Sequence, residues 1–168
     1  MPPSSRLARS LAPVDKLPAL LARRARSLLM RRVVPFLGTA KVDVLELTTE
    51  RCVATVKNRR AVQNHIGTVH AGAMVLVAET ATGMVVGMSV PDARIPVVKS
   101  MKVEFKKRAK GAIRAEASLT AAQIEQIRTT EKGEVVVAVK VTDETGIEPI
   151  QCEMIWAWTP KRRDPKPT

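Results

Sequence analysis

The feature that most constrains the fold is an apolar run from Ala71 to Val90 interrupted by one acid, Glu79. A helix that is apolar all round must be enclosed on every side, by a membrane or by protein. The acid decides between the two, because a carboxylate near the middle of a span costs roughly 2.5–3.5 kcal/mol. Gly72, Gly83 and Gly87 further weaken an isolated helix. The reading is therefore a buried helix wrapped by a sheet, with no membrane span.

The flanking segments supply that sheet. Val42, Val44, Leu45 and Leu47 in 41–48 and the apolar positions of 52–57 read as two strands, and the phase change between Val44 and Leu45 marks a bulge. After the helix, Pro91 and Pro96 bracket a loop. Met101, Val103 and Phe105, then Ile113, Ala115, Ala117 and Leu119, alternate with charged or polar residues, giving strands with one wet and one dry face. Residues 121–131 read as a connector with a helical turn. Val135 to Val141 forms a strand ended by the Asp143 to Gly146 turn, and a last strand runs from Ile150 to Trp158. Short connections make the later strands antiparallel. The expected class is α+β, an antiparallel sheet curled around one long helix.

Asp15 and Pro18 signal the start of an extra N-terminal amphipathic helix over 15–34, which stops before Pro35. Leu17, Leu20, Leu21, Ala25 and Leu28 recur at helical spacing, so the helix is expected to pack on the domain edge through its leucines, as a lid, with its arginines in water. Residues 1–14 read as a flexible tail, 15–160 as the domain and 161–168 as a basic disordered tail. The Arg-rich start lacks a secretory apolar run, although it also resembles an organelle transit peptide.

Within 168 residues the net charge is +12, concentrated in 1–40, 99–110 and 161–166. Such charge suits nucleic acid, an anionic membrane or a phosphorylated ligand. With no Tyr, two Phe and two Trp, stacking platforms for single strands are scarce. Cys52 and Cys152 share the phase of apolar neighbours, which fits reduced, buried thiols in a reducing compartment, here the cytoplasm.

The helix start carries the candidate chemistry. Its first amides are unpaired and its dipole is positive, so the amides near Ala71 and Gly72 can hold an oxyanion, with Asn64 and His70 as side-chain donors nearby. Glu79 is the candidate base or nucleophile. Nine residues separate His70 from Glu79, roughly 13 Å of rise and half a turn of rotation. One chain cannot bring both to one substrate atom. A single site therefore needs Asn64 and His70 from one chain and Glu79 from another, as in a two-fold homodimer whose central helices approach at Gly72, Glu79 and Gly83.

Asn64, Gly67-Thr68, His70, Gly72 and an acid nine residues beyond the histidine resemble the signature of hot-dog-fold acyl-CoA thioesterases, in the phenylacetyl-CoA thioesterase-like branch. The resemblance spans roughly residues 36–160. It implies thioester hydrolysis with no metal and no redox cofactor, coenzyme A entering only as part of the substrate. It implies that Asn64 positions the carbonyl or water, Ala71 donates its amide to the oxyanion, His70 orients the thioester and the partner's Glu79 acts as base or nucleophile. His65, Thr68, Gly83 and Ser100 are the expected substrate contacts. Lys106, Lys107 and Arg108, helped by Arg59 and Arg60, would grip the phosphates of coenzyme A. Met74, Met84 and Met88 would fill the core or line an acyl pocket. The partners expected are a homodimer or a dimer of dimers, and a small-molecule acyl-CoA, with no nucleic acid.

This sequence has His70-Ala71-Gly72 where the family commonly has His-Gly-Gly, Glu79 where it often has Asp, and no sure match for a Ser/Thr after the helix, with Ser100 and Val98 both near. A non-catalytic acyl-binding module of the same fold is the second reading. A basic nucleic-acid or membrane-surface protein is the third.

Overall fold

In the computed structural model, residues 5–161 are described. Six strands form one antiparallel sheet: β1 (Asp43–Leu47), β2 (Arg51–Val56), β3 (Arg94–Phe105), β4 (Ile113–Ser118), β5 (Gly133–Asp143) and β6 (Ile150–Pro160), in the order β1-β2-β4-β5-β6-β3. Five helices accompany it: α1 (Arg6–Leu11), α2 (Ala19–Val33), α3 (Pro35–Ala40), α4 (Ala71–Gly87) and α5 (Ala121–Thr129). The apolar run is α4, and every strand packs against it. Directly opposed residues of neighbouring strands share a face, so Val44, Ala54, Ala115 and Val141 make one row across the sheet, none more than 1% exposed. The two alanines in the middle of that row let a helix crowded with valines lie close. This is the hot-dog arrangement that the resemblance implies. No described helix is long and apolar enough to cross a membrane.

The bulge in β1 falls where the phase change put it, between Val44 and Glu46. The turn expected in 121–131 is the full helix α5, started by a capping box between Thr120 and Gln123. Pro96 lies inside β3, not in a loop, and pairs in register with Trp158. Proline is tolerated there because β3 is an edge strand.

The N-terminal region departs most from expectation. Arg6–Leu11, read as part of a flexible tail, is a helix capped by Ser5, with Leu11 fully buried and Leu7 packed near Gly87. Asp92 fixes it, accepting from the Arg6 amide at 2.6 Å and pairing with Arg9. Helix α2 ends before Pro35 as expected, after which proline starts α3 at its first turn. Its buried face is the reverse of the expected one: Ala22, Arg26, Ser27 and Met30 point in, while Leu17, Leu20, Leu21 and Leu28 are 42–69% exposed.

The cause is the open edge of β1. Arg26 donates to the Leu45 carbonyl at 2.9 Å, Ser27 exchanges bonds with both the N–H and the C=O of Val44, and Arg31 donates to the Val42 carbonyl at 3.0 Å. These polar side chains satisfy backbone groups that no strand reaches, so they take the inner face and displace the leucines. Asp15 pairs with Arg26 at 2.8 Å instead of capping α2. Of the basic tail expected over 161–168, everything beyond Lys161 lies outside the described residues.

Candidate active site

Helix α4 keeps one stripe short of full burial: Gly72, Leu76, Glu79, Gly83 and Gly87, at spacings of three and four. Its later half opens into a cleft of about 720 Å³, walled by α1, α2, α3, the start of β3 and Trp156. Leu29, Met30, Val33, Leu37, Met84, Ile95 and Trp156 give that cleft its apolar lining, and Glu79 stands among them. Among the described residues no hydrogen bond or ion pair engages the Glu79 carboxyl. Burial pushes its pKa above the ordinary carboxylate value. An acid kept unpaired against apolar walls is poised to exchange protons nearer neutral pH than a surface carboxyl would.

The walls from α1, α2 and Trp156 escaped the sequence reading. The available signal was Gly83 itself: a Cβ there would stand 2.5 Å from Trp156 Cη2, so the glycine exists to admit the indole. Within the chain Gly83 therefore packs against its own sheet. The indole is held by its N–H, which donates to Thr82 Oγ1 at 2.9 Å.

At the other end of α4 the loop 63–70 forms the second part of the candidate site. His70 is the N-cap: its Nδ1 accepts the Gly72 amide at 2.9 Å. With Nδ1 accepting, the ring's other nitrogen, Nε2, is the one available to donate. Gly72 thus spends its amide on the cap within this chain. The Ala71 amide has no acceptor in the described chain and remains free.

Asn64 is largely committed to its own loop. Its Oδ1 accepts from the amides of Ile66 and Thr68, both at 3.1 Å, and its Nδ2 donates to Thr68 Oγ1 at 2.8 Å, leaving one N–H to give. Gly67, at φ +78, supplies the left-handed turn this loop needs. His65, Asn64, Gln63, Gly67 and Arg60 line a separate polar recess of about 470 Å³. Arg59 is tied to the Ala40 carbonyl at the end of α3.

The structure does not gather the expected residues around Glu79 within one chain. The 63–70 loop lines another recess, and Ser100 shares the outer face with Ile155 because the bulge at Lys99 shifts the phase of β3. Val98, opposite Trp156, faces inward instead. Lys106 pairs with Glu104, while Lys107 and Arg108 stand exposed at the far end of β3 from the cleft, about 35 Å of extended strand from Ile95. The inner face of β3 is only partly covered: Val103 packs on the core, but Val98, Met101 and Phe105 face the helix side and are 38%, 47% and 56% exposed.

A long helix with a mid-helix acid, wrapped by one antiparallel sheet, defines a hot-dog domain. Residues 22–158 match a family model described as a domain of unknown function, DUF4442, and the chain belongs to that family. No curated protein matches it. Among solved structures, PA5026 from Pseudomonas aeruginosa, named a protein of unknown function and probable thioesterase, is 29% identical, with 86% of this chain and 97% of that one covered and a TM-score of 0.73. A mutant of the P. aeruginosa thioesterase PA1618 is 13% identical, covering 82% and 94%, at TM-score 0.67. Thioesterase HI1161 from Haemophilus influenzae is 12% identical, covering 74% and 82%, at TM-score 0.61. At those identities the last two share the fold.

Proposed function

We propose that the chain is an acyl-CoA thioesterase of the phenylacetyl-CoA thioesterase-like branch, working as a homodimer. The observation that carries this reading is the unpaired carboxyl of Glu79 in an apolar cleft of about 720 Å³. Cleft volumes of this order accept ligands of acyl-chain size. The thioesterase names of PA5026 and HI1161 agree with it.

In this mechanism the Glu79 carboxylate takes a proton from water, and the hydroxide adds to the thioester carbonyl carbon. The oxyanion is held by the free Ala71 amide at the partner's helix start, with His70 Nε2–H and the remaining Asn64 N–H beside it. Collapse breaks the C–S bond, and the proton on Glu79 passes to the departing thiolate. Direct attack by Glu79, giving an anhydride that water then opens, uses the same groups.

The open edge of β3 and its exposed Val98, Met101 and Phe105 support the dimer, since an open apolar edge strand is a template for pairing. Antiparallel pairing of two β3 strands about their middle would also set Lys106, Lys107 and Arg108 of one chain beside Ile95 and Pro96 of the other. That places cations at a cleft mouth, where coenzyme A phosphates would lie. Cys52 and Cys152 are free thiols, with burial raising their pKa values to about 12 and about 11, in keeping with a reducing compartment such as the cytoplasm.

Thiol release from a panel of acyl-CoAs tests the proposal: wild-type chain turns over at least one member, and Glu79→Gln does not. One observation favours a second reading, an acyl-binding module without turnover: Asn64 and the Gly72 amide are committed within their own loop. That reading expects saturable acyl-CoA binding, equal in wild type and Glu79→Gln, with no thiol released by either.

A further inference from the structure

The outer face of α2 carries an unusual combination. Leu20, Leu21 and Leu28 are 65%, 51% and 69% exposed, with Leu17 just before the helix at 42%. Arg24 stands among them, and Lys16, Arg23 and Arg32 flank them, all exposed. None of these four cations has an ion pair or hydrogen bond among the described residues, and no acid occurs between Asp15 and Asp43. The face points outward because the other side of the helix is committed to the β1 edge.

We infer that this face is an interfacial docking surface for an anionic lipid bilayer, with the leucines entering the headgroup and acyl boundary and the cations meeting lipid phosphates and carboxylates. The charge selects the occupant. A second copy docked here by two-fold symmetry would bring one set of cations against another, desolvating like charges with no acid to pair them. Nucleic acid would satisfy the arginines and strand the leucines in water. An anionic surface with an apolar layer beneath it takes both, and the long arginine stems let their heads reach the headgroups while the leucines insert. The opposite side of the same helix walls the cleft that holds Glu79.

Co-sedimentation of the full chain with phosphatidylcholine vesicles, with and without phosphatidylserine, tests this. Binding is expected only with phosphatidylserine, weakened by salt and falling about five-fold for each cation removed in Arg23→Gln, Arg24→Gln and Arg32→Gln. Leu20→Ser/Leu28→Ser, which removes no packed side chain, is expected to weaken binding at least as much at constant charge. Lys107→Gln/Arg108→Gln, in the other basic patch, is expected to leave it unchanged. Absence of binding to anionic vesicles at low salt overturns the inference, as does binding indifferent to the leucine pair or lost through the Lys107/Arg108 variant. A self-association that the leucine variant dissolves, seen by light scattering, also overturns it.

Discussion

Gly83 and Trp156 act as one unit, since a Cβ on the glycine would stand 2.5 Å from the indole Cη2. Gly83→Ala is expected to cost about 1–3 kcal/mol by overpacking. The double change Gly83→Ala/Trp156→Phe should recover part of that cost, because the smaller ring vacates the contact. Denaturant melts of the wild type, Gly83→Ala, Trp156→Phe and the double variant measure the coupling; additive losses would detach the pair.

Glu79 sets a pH dependence whose direction follows from its raised pKa. The folded state holds the proton more tightly than the unfolded state, so stability falls as pH rises from the ordinary carboxylate range through the folded value. Glu79→Gln removes that penalty. Its melting temperature should exceed that of the wild type at neutral pH and match it in acid, below both values. Turnover, which needs the carboxylate, should fall away in the wild type as pH drops through the raised pKa. An acid limb at the ordinary carboxylate value would refute the assignment.

His70 should separate capping from chemistry. His70→Ala loses the bond to the Gly72 amide and is expected to cost about 1 kcal/mol, while His70→Asn keeps a capping acceptor and most of the stability. Both lose the Nε2–H donor. Equal activity losses in the two, with unequal melts, would mark His70 as a participant in the reaction; full activity in His70→Asn would reduce it to a cap.

The dimer proposal rests on the inner face of β3. Met101 is half exposed on that face, and Met101→Lys puts two like charges near the two-fold seam, a juxtaposition that costs several kcal/mol. Light scattering should report a monomer for this variant, and thiol release should fall with it. An active monomer would exclude a site shared between chains.

Val33 offers a way to read the cleft from its rim, since it lines the cavity yet is 64% exposed. Val33→Trp should leave the melt unchanged and narrow the cleft, lowering kcat/KM for long acyl chains about ten-fold relative to short ones. A uniform effect across chain lengths would place the acyl group elsewhere.

The fold was legible because its signals were periodic: an apolar helix fixes a wrapping sheet, and alternation in 113–119 and 135–141 fixes strands and faces. Glu79 was legible because it is the lone acid of that helix. The face of α2 was not, because the leucine pattern obeys helix periodicity but the need of β1 for backbone partners is set by sheet order, which periodicity does not carry. The same holds for the cleft walls and for Ser100, whose side of the sheet turns on a single extra residue at Lys99. Asn64 carried two meanings in the sequence, turn and site. Within the chain the turn takes all but one of its bonds.

The covering of β1 by Arg26, Ser27 and Arg31 reaches beyond local satisfaction of carbonyls. A sheet with two free margins can be extended without limit, copy after copy, toward a fibre. This one has a margin sealed by its own helix and only the β3 margin left to join another chain. Growth by strand addition therefore halts once two copies have met, and the seal on one side turns an aggregation hazard into a counting device.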